Sequence, residues 1–271
     1  MRVAVITPYV GEATEVITRS TASIAAQHCP GAELTQILVS DGAPPPPLPK
    51  PSGALHRIEA ICLPSRVGDG GSTPRAVGSA YALGTGAEAI AFLDVDNRFT
   101  TDHIHTMLNW VEEGAELVSA TRWLCHHDTG ERMYVDTVDS DGDQFTDPSC
   151  LFFAGAALPL TRQWGMRDPS GRAVRNTMHD RAFWAKIRAR VPEAKRRVAE
   201  RATVEYRTPW LGHYRVGIDL PPQRLKLAVQ RPDGTLESRW VRVLGSDGRS
   251  WRVDLDPPPT PPDAAPPARS R

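Results

Sequence analysis

The chain has 271 residues, with 32 Lys+Arg against 32 Asp+Glu and a formal net charge of zero. That length supports one large domain or two small ones, and 40% hydrophobic with 24% charged residues is the composition of a soluble globular protein, not a disordered one. No apolar run approaches the roughly 18 residues that span a bilayer, and the start of the chain lacks a signal-peptide pattern.

Val3–Thr7 (VAVIT) is a short, continuous apolar run of the kind buried in a parallel sheet. Apolar residues at helical spacing over Glu15–Gln27 predict a helix, stopped by Pro30–Gly31. Gln36–Ser40 (QILVS) reads as a second buried strand, ended by Asp41–Gly42, and His56–Leu63 as a third. A glycine-rich loop, Gly68–Ser72, leads into a helix over Thr73–Leu83. Ala89–Leu93 (AIAFL) is a further strand and runs directly into Asp94-Val95-Asp96-Asn97. A helix at Asp102–Glu113, a strand at Glu116–Ala120 and a strand opening LFFAGAA at Leu151 follow. Arg181–Arg190 and Glu193–Arg201 read as arginine-rich helices. From Arg224 onward the pattern changes to short alternating strands separated by Pro-Asp-Gly and Ser-Asp-Gly, which describes a small antiparallel β element.

The β-α-β-α order implies an α/β fold with a parallel-centred sheet and right-handed crossovers. Ligands of such sheets bind beyond the carboxyl ends of the strands, where Asp41, Asp94 and Asp96 lie. The zero net charge is a cancellation: residues 1–161 hold 9 Lys+Arg against 20 Asp+Glu, and residues 162–271 hold 23 against 12. An acidic half suits a cation and a basic half suits anions. The basic half has no aromatic-interleaved stripe, zinc-finger or RNP pattern, so no nucleic-acid partner is expected. Four cysteines without CxxC spacing argue against a disulfide framework and fit a reducing compartment, so a cytoplasmic location is expected. Six of the 25 prolines fall in residues 44–51 and seven in 257–267, a stiff connector and a solvated, dispensable tail.

Asp94-Val95-Asp96 is the strongest chemical signal. Two carboxylates on a strand-end turn can hold a hard divalent cation, with waters and phosphate oxygens in the remaining positions. The acidic run Asp139-Ser-Asp141-Gly-Asp143 lacks the glycine and glutamate positions of a calcium loop. Cys125-His126-His127-Asp128 contains ligand-type residues, but neighbours on a strand point to opposite faces and do not converge, so a surface loop is expected there.

The order of these parts resembles family 2 glycosyltransferases of the GT-A fold, over roughly residues 1–215. VAVITPYVGE is similar to their first-strand signature, ILVSDGA to the second strand, STPRAVGSAYAL to the helix that faces the donor diphosphate, FLDVDNRF to the D-x-D strand end and MHDRAFW to the motif of the catalytic base. The second strand of the family carries two aspartates, whereas here Ser40 stands before Asp41. The resemblance implies a GT-A-like, Rossmann-related α/β fold with a mixed, mostly parallel sheet. With the β element and the proline-rich tail read above, the chain is expected to divide into a GT-A-like catalytic domain at 1–219, a β-rich appendage at 220–256 and a tail at 257–271. The resemblance implies transfer from a nucleotide-diphosphate sugar, UDP-linked, to an acceptor hydroxyl with inversion. Thr7, Pro8, Tyr9, Asp41, Arg75, Asp94 and Asp96 then bind the donor, and Asp94, Asp96 and His213 hold Mn or Mg. Asp180 is the general base, and Asp147 contacts a glycan, lipid-linked or small-molecule acceptor. Peripheral membrane contact is compatible with this reading. Two alternatives are a non-catalytic nucleotide-sugar or glycan-binding module on the same fold and a sugar nucleotidyltransferase. The second expects a glycine-rich basic loop after the first strand, which TPYVGEA lacks.

Overall fold

A computed structural model describes residues 1–44, 47–164, 179–230 and 236–255. The chain divides into two compact units, Met1–Thr208 and Pro209–Arg271. The division falls eleven residues before the 219/220 boundary read from sequence. The tail at 257–271 and the Pro-Asp-Gly turn lie outside the described residues.

The first unit is a mixed sheet with helices on both faces. It begins with β1 (Arg2–Tyr9), α1 (Thr14–Ala25), β2 (Glu33–Ser40), β3 (Leu55–Cys62), α2 (Ser72–Gly84) and β4 (Ala89–Phe92). These strands pair in parallel in the order β3-β2-β1-β4. Next come β5 (Arg98–Phe99), α3 (His103–Glu112), β6 (Leu117–His126), β7 (Arg132–Asp136), β8 (Leu151–Ala154), α4 (His179–Arg190) and β9 (Arg196–Thr208). Among the described residues the sheet order is β3-β2-β1-β4-β8-β6-β9-β5, with β7 beside β6. β8 is inserted antiparallel between β4 and β6.

Strand alternation feeds a core on each face. Val3 and Val5 pack with Ile24 of α1 and with Ile104 and Met107 of α3. Ala4 and Ile6 pack with Ala82 of α2 and with Phe183, Trp184 and Ile187 of α4. Gly78 lets α2 approach the sheet closely, because a Cβ there would lie 2.7 Å from Ile6 Cγ2 and 2.9 Å from Val39 Cγ2.

Two expectations are corrected. Glu193–Arg201 is not a helix: a 3-10 turn at Glu193–Lys195 leads into β9, which pairs in parallel with β6. Strand pairing overrides helix propensity there, burying Ala199, Thr203 and Val204 while Arg196 and Arg197 are half-buried and Arg201 is exposed. Cys125 and His126 end β6 instead of lying in a loop, and Cys125 is fully buried.

The second unit carries β10 (Arg224–Gln230), β11 (Leu236–Ser246) and β12 (Trp251–Leu255) in an antiparallel sheet, with Leu225 and Val241 paired and buried. Among the described residues no helix is long and apolar enough to cross a membrane.

Candidate functional site at the strand ends

The carboxyl ends of β1, β2 and β4 bring Tyr9, Asp41 and Asp94 to one edge of the sheet. Thr7 is fully buried, and its hydroxyl accepts a hydrogen bond from Gln36 Nε2 at 3.1 Å. Its side chain is part of the sheet interior and is not offered to solvent. Pro8 is buried beside Gly71, at the start of α2. Tyr9 is also buried, and burial raises its phenol pKa. Asp41 clamps the glycine-rich loop: one carboxylate oxygen accepts from Val67 N–H at 2.7 Å and the other from Gly68 N–H at 2.9 Å. Gly42 permits that approach, since its φ is +79° and a Cβ would lie 2.4 Å from Arg66 N.

Arg75, on the first turn of α2, is 5% exposed. Its guanidinium pairs with Asp94 Oδ1, donates to Gly70 O at 3.0 Å and lies 4.9 Å from the Trp164 ring centroid. Trp164 stacks on Phe183 of α4 with centroids 3.7 Å apart. An aromatic wall thus holds the arginine against the first aspartate of the D-x-D turn.

Asp94 and Asp96 are both half-buried, while Val95 between them packs with Tyr9, Ile17 and Leu38. The turn is fixed from below by Ser149. Its hydroxyl accepts from Asp94 N–H and from Asn97 Nδ2, each at 3.1 Å. Asn97 Oδ1 accepts from Arg207 N–H at 3.2 Å, which ties the turn to the end of β9. The Asp96 carboxyl is pushed up to about 7 by burial and by Asp94, with Asp147 and Glu12 adding to the effect. A bound cation would relieve that charge crowding.

Asp147 is not an open acceptor contact. It is 5% exposed, its Oδ1 accepts from Ser149 N–H at 2.9 Å, and its Oδ2 accepts from Arg122 Nη1 at 2.6 Å. Both oxygens are therefore engaged inside the fold. Arg122 also donates through Nε to Asp136 Oδ2 at 2.9 Å, and its guanidinium lies 4.0 Å from the Tyr206 ring centroid. Burial would raise the Asp136 carboxyl, but Arg122 and the N–H groups of Asp139 and Val138 hold it below its ordinary value. Asp147 is pushed up to about 6, burial outweighing the opposing pull of Arg122.

Asp180 is the second residue of α4, half-buried, and accepts from Arg181 N–H at 2.8 Å. Burial raises its pKa against the pull of Arg181 and Arg75. Asp147 feels the charges of both Asp94 and Asp180. Asp94, Asp96, Asp180 and Arg75 therefore belong to one electrostatic neighbourhood. His213 lies in the second unit, in a 3-10 turn at Leu211–His213. Among the described residues no three His, Cys, Asp or Glu side chains group to hold a metal.

Arg122, Asn97, Ser149 and Trp164 were not foreseen from sequence. Only Asn97 carries a local signal, its place directly after the D-x-D. The others reach the site through strand pairing and loop packing.

The mixed, mostly parallel α/β sheet of the first unit has the GT-A fold. The model for Glycosyl transferase family 2 matches residues 4–182, and the chain belongs to that family. Among solved structures it is similar to S. aureus TarS 1-349 in complex with UDP-GlcNAc, at 16% identity and a TM-score of 0.55 over 77% of this chain and 59% of that one. It is likewise similar to TarS 1-349 in complex with UDP, at 16% identity and a TM-score of 0.53 over 77% and 61%. A further TarS crystal structure is matched at 16% identity and a TM-score of 0.54 over 77% and 37%. The chain thus spans less than two thirds of each of these TarS chains, and the likeness is one of fold. No curated protein matches this sequence.

Proposed function

We propose that this chain transfers a sugar from a nucleotide-diphosphate sugar, UDP-linked, to an acceptor hydroxyl with inversion at the anomeric carbon. The observation that carries the reading is the pairing of Arg75 with Asp94, two residues from Asp96 at the end of β4 in a family 2 chain, with the half-buried Asp180 of α4 under the influence of the Arg75 charge. The TarS structures, titled as complexes with UDP-GlcNAc and UDP, support UDP as the nucleotide.

Asp180 accepts the proton of the acceptor hydroxyl while its oxygen attacks the anomeric carbon and the bond to the diphosphate breaks. Burial raises the proton affinity of this carboxylate, the direction a general base needs, and such a base contributes about 10²–10⁴-fold. Asp96, crowded by other carboxylates and without a side-chain ion pair among the described residues, fits a divalent cation such as Mn or Mg, with Asp94 beside it. When bound, that cation would supply charge neutralisation to the leaving diphosphate. Arg75 holds Asp94 in place and lies where it can meet the same phosphate oxygens. Thr7, Pro8 and Tyr9 shape the β1 end of the donor site, and Asp41 positions the glycine-rich loop above it. A glycan, a lipid-linked sugar or a small molecule supplies the hydroxyl. All four cysteines are free thiols, which supports a cytoplasmic location.

The test is thermal stabilisation by a panel of nucleotide sugars with Mn²⁺, followed by transfer and hydrolysis assays. Asp180→Asn should abolish transfer and keep nucleotide binding, whereas Asp96→Asn should lose both. Full transfer by Asp180→Asn removes it as the base. Binding without any turnover identifies a non-catalytic module.

A further inference from the structure

The small sheet of the second unit has two unlike faces. Leu225 and Val241 are directly paired and fully buried, and on the same inner side Trp251 donates its indole N–H to Tyr214 O at 3.0 Å. Strand alternation sends the intervening residues outward. Arg224 pairs with Arg242 across β10 and β11, Lys226 pairs with Trp240, and Arg242 faces Asp254 of β12. Arg252 lies on the same side of β12 as Asp254. Trp240 is 37% exposed, and Arg224, Arg242, Arg252 and Asp254 are exposed as well.

The outward side chains are organised about Trp240. The Arg224 guanidinium lies 5.1 Å from its ring centroid and Lys226 Nζ 5.3 Å, and Lys226 Nζ is also 5.8 Å from the ring of Trp210. Among the described residues this face carries four cations against the single carboxylate of Asp254. An exposed indole among cations suits a ligand with a flat apolar surface and negative charge. A sugar bearing acidic groups has both. Its C–H face packs on the indole, and its carboxylates or sulfates accept charge-assisted hydrogen bonds from Arg and Lys. Single-stranded nucleic acid stacks successive bases on a series of rings, whereas here one exposed ring stands among the cations.

We infer that the outer face of this sheet binds an anionic glycan, with a sugar ring on Trp240 and acidic groups on Arg224, Lys226 and Arg242. The choice of a glycan rests on the proposed glycosyl transfer, while the charge and the aromatic ring belong to the sheet itself.

The experiment titrates the full chain with oligogalacturonate, dextran sulfate, neutral dextran, poly-L-glutamate and poly(U) by microscale thermophoresis, in wild type, Trp240→Ala, Arg242→Gln and Arg57→Gln. Arg57 is an exposed arginine of β3 in the first unit and serves as the control. Wild type should bind an acidic glycan, more weakly as salt rises, and should leave dextran and polyglutamate unbound. Affinity should fall about tenfold in Trp240→Ala and about threefold in Arg242→Gln, and stay unchanged in Arg57→Gln. Arg242 lies outside the buried side of the sheet, so its variant reads the face where Trp240→Ala loosens the fold. Wild type that binds neither acidic glycan, that binds dextran or polyglutamate as tightly, or that prefers poly(U) overturns the inference. Folded variants of Trp240 and Arg242 that bind as wild type does also overturn it. Nucleotide-sugar turnover is measured alongside. Glycan binding without turnover supports the face and removes the transferase reading, and turnover without glycan binding does the reverse.

Discussion

Replacing Arg122 with methionine removes the cation from between two buried carboxylates. Asp136 and Asp147 are 3% and 5% exposed, and Arg122 supplies bonds of 2.9 and 2.6 Å to them. After the change, Asp136 keeps the N–H groups of Val138 and Asp139, and Asp147 keeps Ser149 N–H. Among the described residues neither has an ion pair with another cation. Breaking a buried ion pair by removing one partner costs about 3–5 kcal/mol, because the remaining charge is buried and uncompensated. For a unit of this size that lowers Tm by on the order of 10 °C. Urea unfolding monitored by tryptophan fluorescence measures the loss. The triple variant Arg122→Met, Asp136→Asn, Asp147→Asn should recover more than half of it, since neutral amides remove the stranded charge. A loss under about 1 kcal/mol in the single variant, or no recovery in the triple, refutes the argument. If the proposed function holds, the same change should also weaken nucleotide binding, because Asp147 holds Ser149 and Ser149 holds the Asp94–Asn97 turn.

His103 is fully buried, stacked on Phe99, and bonded to Thr203 Oγ1 at 2.8 Å. Burial pushes its pKa down to about 3. The unfolded chain takes up this proton below about pH 6.5 and the folded chain does not, so stability is full above that pH and falls as pH drops. The decline contributed by His103 is about 1.4 kcal/mol per pH unit between roughly pH 6 and 4. Unfolding of wild type and His103→Gln across that range should show the shallower slope in the variant, and equal slopes refute the assignment. Gly78→Ala should destabilise by about 1–3 kcal/mol through overpacking against Ile6 and Val39, outweighing the gain in helix propensity. A raised Tm in that variant contradicts the close helix–sheet contact.

Much of the first unit was legible because buried parallel strands are continuous apolar runs and their helices carry 3.6-residue spacing. VAVIT, QILVS and AIAFL each became a strand, and the helices between them followed. The second half resisted. β9 carries arginines at Arg196, Arg197, Arg201 and Arg207, and its strand character comes from pairing with β6, a partner about 80 residues away in sequence. The two-residue β5 is too short to leave any periodic signal.

The sequence by itself determined the α/β order, the acidic turn after AIAFL and the set of motifs by which the chain is placed in family 2. It also showed that the zero net charge separates into an acidic and a basic half. Only the tertiary structure decided what each charge touches. It buried Asp147 under Arg122, paired Arg75 with Asp94, and turned Asp41 onto Val67 and Gly68. The physical reason is that side-chain type and local spacing fix which backbone elements form, whereas partners across a sheet depend on strand order and register. Those are set by the packing of the whole unit.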